Sequence, residues 1–151
     1  MKFEFLLPRN TKNVDLNLVI NSNDRFHFHK KARMTSQLKS LAHYEAITFN
    51  GIPFSEKKPC HVHVTVYSPT KSKLDPPNLY PTVKALIDGL TVAGIWKDDN
   101  YKIIQLMTFK YGGLSHKKGH YKIVLDVDYN YKNINVVYYN NYVTERMEYG
   151  R

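Results

Sequence analysis

The chain has 151 residues, 42% hydrophobic and 23% charged, which suits one domain with a buried core and excludes global disorder. A formal charge of +9 and a pI near 9.5 favour an anionic partner, nucleic acid first and an anionic membrane surface second. The single cysteine, Cys60, excludes an intrachain disulfide and a cysteine-based zinc site, and no apolar run approaches the ~20 residues of a membrane-spanning helix.

Cys60 opens an alternating apolar run, so buried packing is expected of it rather than nucleophilic chemistry. The segment Met1-Lys2-Phe3-Glu4-Phe5 lacks a signal-peptide core, and a cytoplasmic location is the expectation.

In chain order, Phe3, Phe5 and Leu7 alternate with Lys2, Glu4 and Leu6 before Pro8, which predicts a strand. Leu16 to Ile20 reads as a second short strand, closed by the turn-forming Asn21-Ser22-Asn23-Asp24. From Lys30 to Ile47 the apolar Met34, Leu38, Leu41, Ala42 and Ile47 recur near helical spacing. Lys30, Lys31, Arg33 and Lys39 give this predicted helix a basic outer face.

Residues 51–59 read as a loop. Cys60 to Ser68 is the clearest strand, with Val62, Val64 and Val66 on one face and His61, His63, Thr65 and Tyr67 on the other. After a polar, proline-broken stretch, Pro81 suits a first helical turn. Val83, Leu86, Ile87 and Leu90 continue a helical stripe to Ala93, and Gly94 stops it. Tyr101 to Phe109 and Tyr121 to Asp128 read as two strands joined by the glycine-rich loop 112–119. In the Tyr- and Asn-rich segment 130–151, only Val136-Val137-Tyr138-Tyr139 is strand-like. About five strands and two main helices, one between strands, predict a single α/β (α+β) domain with a mixed sheet over residues 1–129, followed by a C-terminal extension.

Acidic residues are concentrated in one place. Asp75, Asp88, Asp98 and Asp99 are four of the 13 acids of a strongly basic chain. Carboxylates in a basic surround suit a hard divalent cation held against phosphate. The plainer reading of Asp98-Asp99 is a polar turn. Lys84 and Asp88 are four apart on one helix face, where a salt bridge is the plain alternative to a site role.

Four segments in order resemble the RusA family of phage Holliday junction resolvases. Ser22-Asn23-Asp24-Arg25 resembles that family's Ser-Asn-x-Arg turn. The loop after Pro69, with Lys71 and Lys73 leading to Asp75, is similar to its arginine-rich approach to Asp-x-Asp-Asn. Asn78-Leu79 and Lys84-Ala85-Leu86-Ile87-Asp88-Gly89-Leu90 match Asn-Leu-x-Lys-Ala-x-x-Asp-Ala-Leu. Ala93-Gly94-Ile95-Trp96-Lys97-Asp98-Asp99 matches Ala-Gly-x-Trp-x-Asp-Asp. Two departures stand out: Pro77 replaces the second aspartate, and about three extra residues near Tyr80-Pro81-Thr82 separate Asn78 from Lys84.

The resemblance implies a homodimeric endodeoxyribonuclease that resolves Holliday junctions or other branched DNA with Mg2+, Mn2+ being a substitute. In a phage-encoded protein the location would be the host cytoplasm. It makes Asp75 and Asp99 the main metal ligands, with Asp98 a further one; the site either lacks the carboxylate lost at Pro77 or has recruited another, Asp88 being the nearest substitute in sequence. Lys84 would stand beside the scissile phosphate. Arg25, Lys71, Lys73, Asn78, Lys117 and Lys118 are the candidate nucleic-acid contacts, Asn78 having a helix-cap or loop-ordering role as its alternative. Phe26 and Phe28 suit either core packing or base stacking.

Two other readings stand beside this one. Pro77 motivates a non-catalytic nucleic-acid-binding protein of the same fold. The pairs His27-Phe28-His29 and His61-Val62-His63 motivate a transition-metal hydrolase, although no carboxylate follows either pair at a supporting spacing.

Overall fold

In a computed structural model, which describes residues 1–129, the chain forms an α+β domain. Four strands and two helices follow in the order β1 (Lys2–Pro8), α1 (Phe28–Glu45), β2 (Cys60–Ser68), α2 (Tyr80–Val92), β3 (Ile104–Leu114) and β4 (His120–Tyr129). The sheet order is β1-β4-β2-β3. β4 pairs antiparallel with both β1 and β2, whereas β3 runs parallel to β2. β3 passes the end of β2, where Ser115 donates its amide to the Ser68 carbonyl at 2.7 Å, and the chain returns along the other side of β2 as β4.

Alternation sets the layers. Phe3, Phe5 and Leu7, Val62, Val64 and Val66, and Ile123, Leu125 and Val127 share one buried face. Met34, Leu38 and Ala42 of α1 and Val83, Leu86, Ile87 and Leu90 of α2 join them in a single core. Cys60 is buried there, and burial pushes its thiol up to about 12, which removes it from nucleophilic chemistry at neutral pH. No helix among the described residues is long and apolar enough to cross a membrane.

Four strands replace the expected five. Residues 16–20 do not pair in the sheet: a short 3-10 helix, Val14–Leu16, leads into a segment held by side chains. Asn17 Oδ1 accepts from the Val19 amide at 3.2 Å and Asn17 Nδ2 donates to the Val19 carbonyl at 3.1 Å. The Thr82 hydroxyl accepts from the Ile20 amide at 2.8 Å and donates to its carbonyl at 2.9 Å. The Leu18 amide donates to the Pro8 carbonyl at 2.9 Å, and with its polar groups met this way the segment needs no ladder.

The possible strand in the C-terminal extension, at residues 136–139, lies outside the described residues. β3 starts later than its apolar pattern suggests, because Asn100 O accepts from both Ile103 and Ile104 amides in a turn. It also continues through Gly112 and Gly113, which the sequence reading placed in a loop. A Cβ at Gly112 would lie 2.6 Å from the Tyr67 ring, so glycine lets β3 bulge past that side chain. α1 starts at Phe28, two residues early, and ends before Ile47, which is exposed rather than part of the buried stripe.

The helices meet at a glycine. A Cβ on Gly89 would stand 2.1 Å from the Lys39 carbonyl oxygen and 2.7 Å from the Ala42 methyl. Gly89→Ala should therefore cost ~1–3 kcal/mol by overpacking, against a helix-propensity gain of about 1 kcal/mol. Urea denaturation would measure it, and a stabilised variant would contradict this close approach.

Candidate functional site

α2 buries all but one margin, and Lys84 and Asp88 lie on that margin, each half-buried. Beyond α2, Gly94 takes a left-handed φ of 86°. The Ile95 amide reaches back to the Leu90 carbonyl and the Gly94 amide to the Thr91 carbonyl, a Schellman ending. Ile95 and Trp96 then turn inward, and Trp96 Nε1 donates to Thr91 Oγ1 at 2.7 Å. Phe54 accepts from the Lys97 amide and donates to the Ile95 carbonyl, which fixes the chain as it leaves the core.

That path brings Asp99 onto Lys84. The Lys84 ammonium donates to Asp88 Oδ1 at 2.7 Å and also to Asp99 Oδ2. Burial opposes the charge on Lys84, yet the hydrogen bonds to Asp88 and Asp99 outweigh it and hold the pKa above its ordinary value. Asp98 is exposed and serves the turn: its Oδ1 accepts from the Asp99 amide and its Oδ2 from Asn100 Nδ2.

Asp75 stands on the approach to α2, as the cap of the 3-10 helix Pro76–Leu79. Its carboxylate has no hydrogen-bond or ion-pair partner among the described residues. It lines a cleft of about 550 Å³ with Asn21, Asn23, Lys73, Asn78 and Tyr121. Burial lifts the Tyr121 phenol above its ordinary value, with Arg9 opposing. Pro77 is exposed and gives its carbonyl to the Tyr80 amide.

The cleft exists because the Asn21–Arg25 turn is tied down. Ser22 donates its amide and its hydroxyl to the Asn78 carbonyl at 2.7 and 3.0 Å. Asp24 accepts two hydrogen bonds from Arg9, at 2.8 and 2.9 Å, and another from the Asn21 amide at 2.8 Å. Asn78 therefore orders the loop through its backbone and does not cap α2, whose start has no side-chain cap.

Of the remaining candidates, Arg25, Lys71, Lys117 and Lys118 are exposed and make no ion pair among the described residues. Lys117 and Lys118 lie in the β3–β4 turn. Sequence reasoning missed Arg9, Asp24, Thr82 and Tyr121. Thr82, a polar residue within an otherwise apolar helix stripe, is the one that left a visible signal.

The histidine pairs separate. His27 caps α1, accepting from the His29 amide at 3.3 Å. His61 and His63 lie on the outer sheet face, opposite Asp128 and Asp126 of β4. The carboxylates missing from the local sequence thus come from a neighbouring strand. His63 Nδ1 is 2.7 Å from Thr108 Oγ1, and its Nε2 is 3.7 Å from Asp128. Among the described residues, no group of three or more His, Cys, Asp or Glu side chains converges as a metal cage would.

Compared with known proteins, the chain matches no family model and no curated sequence.

The Asp24–Arg9 tie carries a pH signature. Burial works against the Asp24 carboxylate, but Arg9 and the Asn21 amide prevail and hold its pKa below the ordinary 3.8. Its stabilisation is complete above that value and disappears as pH falls through the lower folded-state value. Asp24→Asn should cost about 1.5–3 kcal/mol at pH 7, and the gap to wild type should narrow below about pH 4. Urea melts at pH 7 and pH 3 test this. An unchanged gap would mean that the pairing does not titrate as described.

Proposed function

We propose that this chain is a divalent-metal-dependent endodeoxyribonuclease of the RusA type, acting on four-way junctions or other branched DNA. One observation carries the reading. The Lys84 ammonium sits between the Asp88 and Asp99 carboxylates, while the carboxylate of Asp75, at the head of the 3-10 turn that leads into α2, has no partner among the described residues in a cleft that also holds Lys73. The ammonium is a cation standing where two carboxylates converge, and paired oxygen donors suit a hard metal such as Mg2+ or Mn2+, with Asp75 standing apart from that pair.

Bound there, such a metal would lower the pKa of an attacking water and neutralise phosphate charge. Asp75 and Asp99 would hold it, with Asp88 in place of the carboxylate lost at Pro77. Asp98 is committed to its turn. The raised pKa of Lys84 makes it a fixed positive charge at neutral pH rather than a general base. Its part is to stabilise the charge that gathers on the phosphate as water adds and the leaving oxygen departs. Lys73 and Asn23 line the approach to Asp75, where a phosphate would pass. A two-fold homodimer would present two such sites to a two-fold junction.

A second reading, junction binding without cutting, draws on Pro77 and on Lys84 already pairing with Asp88 and Asp99. A synthetic four-way junction incubated with Mg2+, with EDTA and linear duplex as controls, separates the two. Cleavage with Mg2+ alone supports the nuclease, and binding without cleavage supports the second reading.

Asp75→Asn and Asp99→Asn should each abolish cutting while junction binding is kept or tightened, since negative charge near phosphate is removed. Retained cleavage in both would sink the metal assignment.

Asp88→Asn should lower cleavage nearly as far as Asp75→Asn with little change in thermal stability. If Asp88 only pairs with Lys84, the cost is a few tenths of a kcal/mol and cleavage stays near wild type. Pro77→Asp should raise Mg2+ affinity in calorimetry, because it restores a missing carboxylate.

A further inference from the structure

Phe26 and Phe28, two residues apart, have opposite fates. Phe26 is partly buried against the core, whereas Phe28 is 75% exposed at the first position of α1. Among the rings of the described residues, the Phe28 ring meets His29 alone, edge-on at 5.3 Å, and His29 in turn lies 5.3 Å from His27. With Lys31, Ala32, Thr35, Ser36 and Lys39, Phe28 lines a shallow groove of about 590 Å³ on the outer side of α1. These positions follow one helical stripe, ~17 Å long at ~1.5 Å per residue.

The charge on this face is one-sided. The only acid in α1 is Glu45, at its last position. Arg33 is engaged by Asp15 at 2.7 Å, but Arg25, Lys30, Lys31 and Lys39 make no ion pair among the described residues.

We propose that this groove binds single-stranded nucleic acid, with a base stacked on Phe28 and the backbone phosphates over Lys31 and Lys39. The inference deepens the proposed function and rests on its nucleic-acid partner, not on cleavage. An exposed aromatic ring beside unpaired lysines and without carboxylates is the combination that takes bases and phosphates together, independent of sequence. An acidic peptide would answer the lysines but leave the ring without a flat partner. A lipid surface wants a broad apolar stripe, and the groove offers one large apolar side chain. The location also fits. Asn23 lines the Asp75 cleft, and Phe28 follows it by five residues, so the two Cα atoms are at most ~18 Å apart. Unpaired nucleotides at a branch point could span that distance.

Phe28→Trp places a reporter in the groove, since the native Trp96 is only 1% exposed and shielded from a base. Titration with oligothymidylate should quench the new indole. Phe28→Ala should weaken oligothymidylate binding roughly 5- to 150-fold and leave duplex affinity within about twofold. Lys31→Ala with Lys39→Ala should flatten the dependence of log affinity on log salt by about 1.4 for single strands.

Duplex or junction binding without quenching would overturn the groove while leaving the nucleic-acid reading in place. Quenching by polyglutamate or by phosphatidylserine vesicles, but not by oligothymidylate, would overturn it in favour of those partners. Quenching by oligothymidylate in a protein that cuts no junction would uphold the groove and defeat the nuclease.

Discussion

The burial of α2 is the constraint on which the rest of the architecture depends. Thr82, Val83, Ala85, Leu86, Ile87, Gly89 and Leu90 all face protein, and Gly89 allows the helix to press against the α1 backbone. A helix enclosed this far has only a narrow margin for charge, because burying an unpaired ion costs far more than any packing gain. Lys84 and Asp88 occupy that margin. The Schellman ending and the buried Ile95 and Trp96 then return the chain beside the same margin, so Asp99 meets Lys84. The charged cluster is a consequence of how the helix is packed and terminated.

The cleft at Asp75 follows from a second, polar constraint. Residues 17–24 run from the core to the surface without forming a strand ladder, and beyond backbone bonds such as that from Leu18 to Pro8 the path is secured by side chains. Asn17 serves its own neighbours, Thr82 exchanges two hydrogen bonds with Ile20, Ser22 grips the Asn78 carbonyl, and Arg9 clamps Asp24. Two of these ties reach residues on or just before α2. The turn that lines one wall of the cleft and the loop that carries Asp75 on the other are therefore positioned by the same helix.

These two constraints differ in how far the sequence exposes them. The strands β1, β2 and β4 and the stripe of α2 are legible because period-2 and period-3.6 patterns report burial directly, and Gly94 reports its own backbone conformation. Lys84 and Asp88 can be placed on one helix face by spacing alone. The meeting of Asp99 with Lys84 cannot, since it depends on a chain reversal through the core.

Leu16–Ile20 misleads because apolar residues there pack inward from an irregular backbone, and whether a backbone amide finds a strand or a threonine hydroxyl is decided 62 positions away. The bulge at Gly112 is hidden for a similar reason: its cause is the Tyr67 ring on the neighbouring strand. The pairing of Arg9 with Asp24 left no signal, although Asp24 lies in a recognisable turn, and neither did the opposition of His61 and His63 to Asp128 and Asp126, which the β4 register alone creates.

Charge arithmetic links the two halves of the proposed site. Asp75, Asp88 and Asp99 carry three negative charges, and Lys84 with the Lys73 that lines the Asp75 cleft carries two positive charges, so the proposed site is left net negative. In a chain of net charge +9, those carboxylates are the feature that repels phosphate from the proposed scissile position while the basic surface attracts the rest of the backbone. A divalent cation there would reverse that local repulsion, and Lys84, relieved of part of its pairing, would then favour an incoming anion. On this reading DNA and metal bind cooperatively at the cleft and independently at the α1 groove, where no carboxylate intervenes.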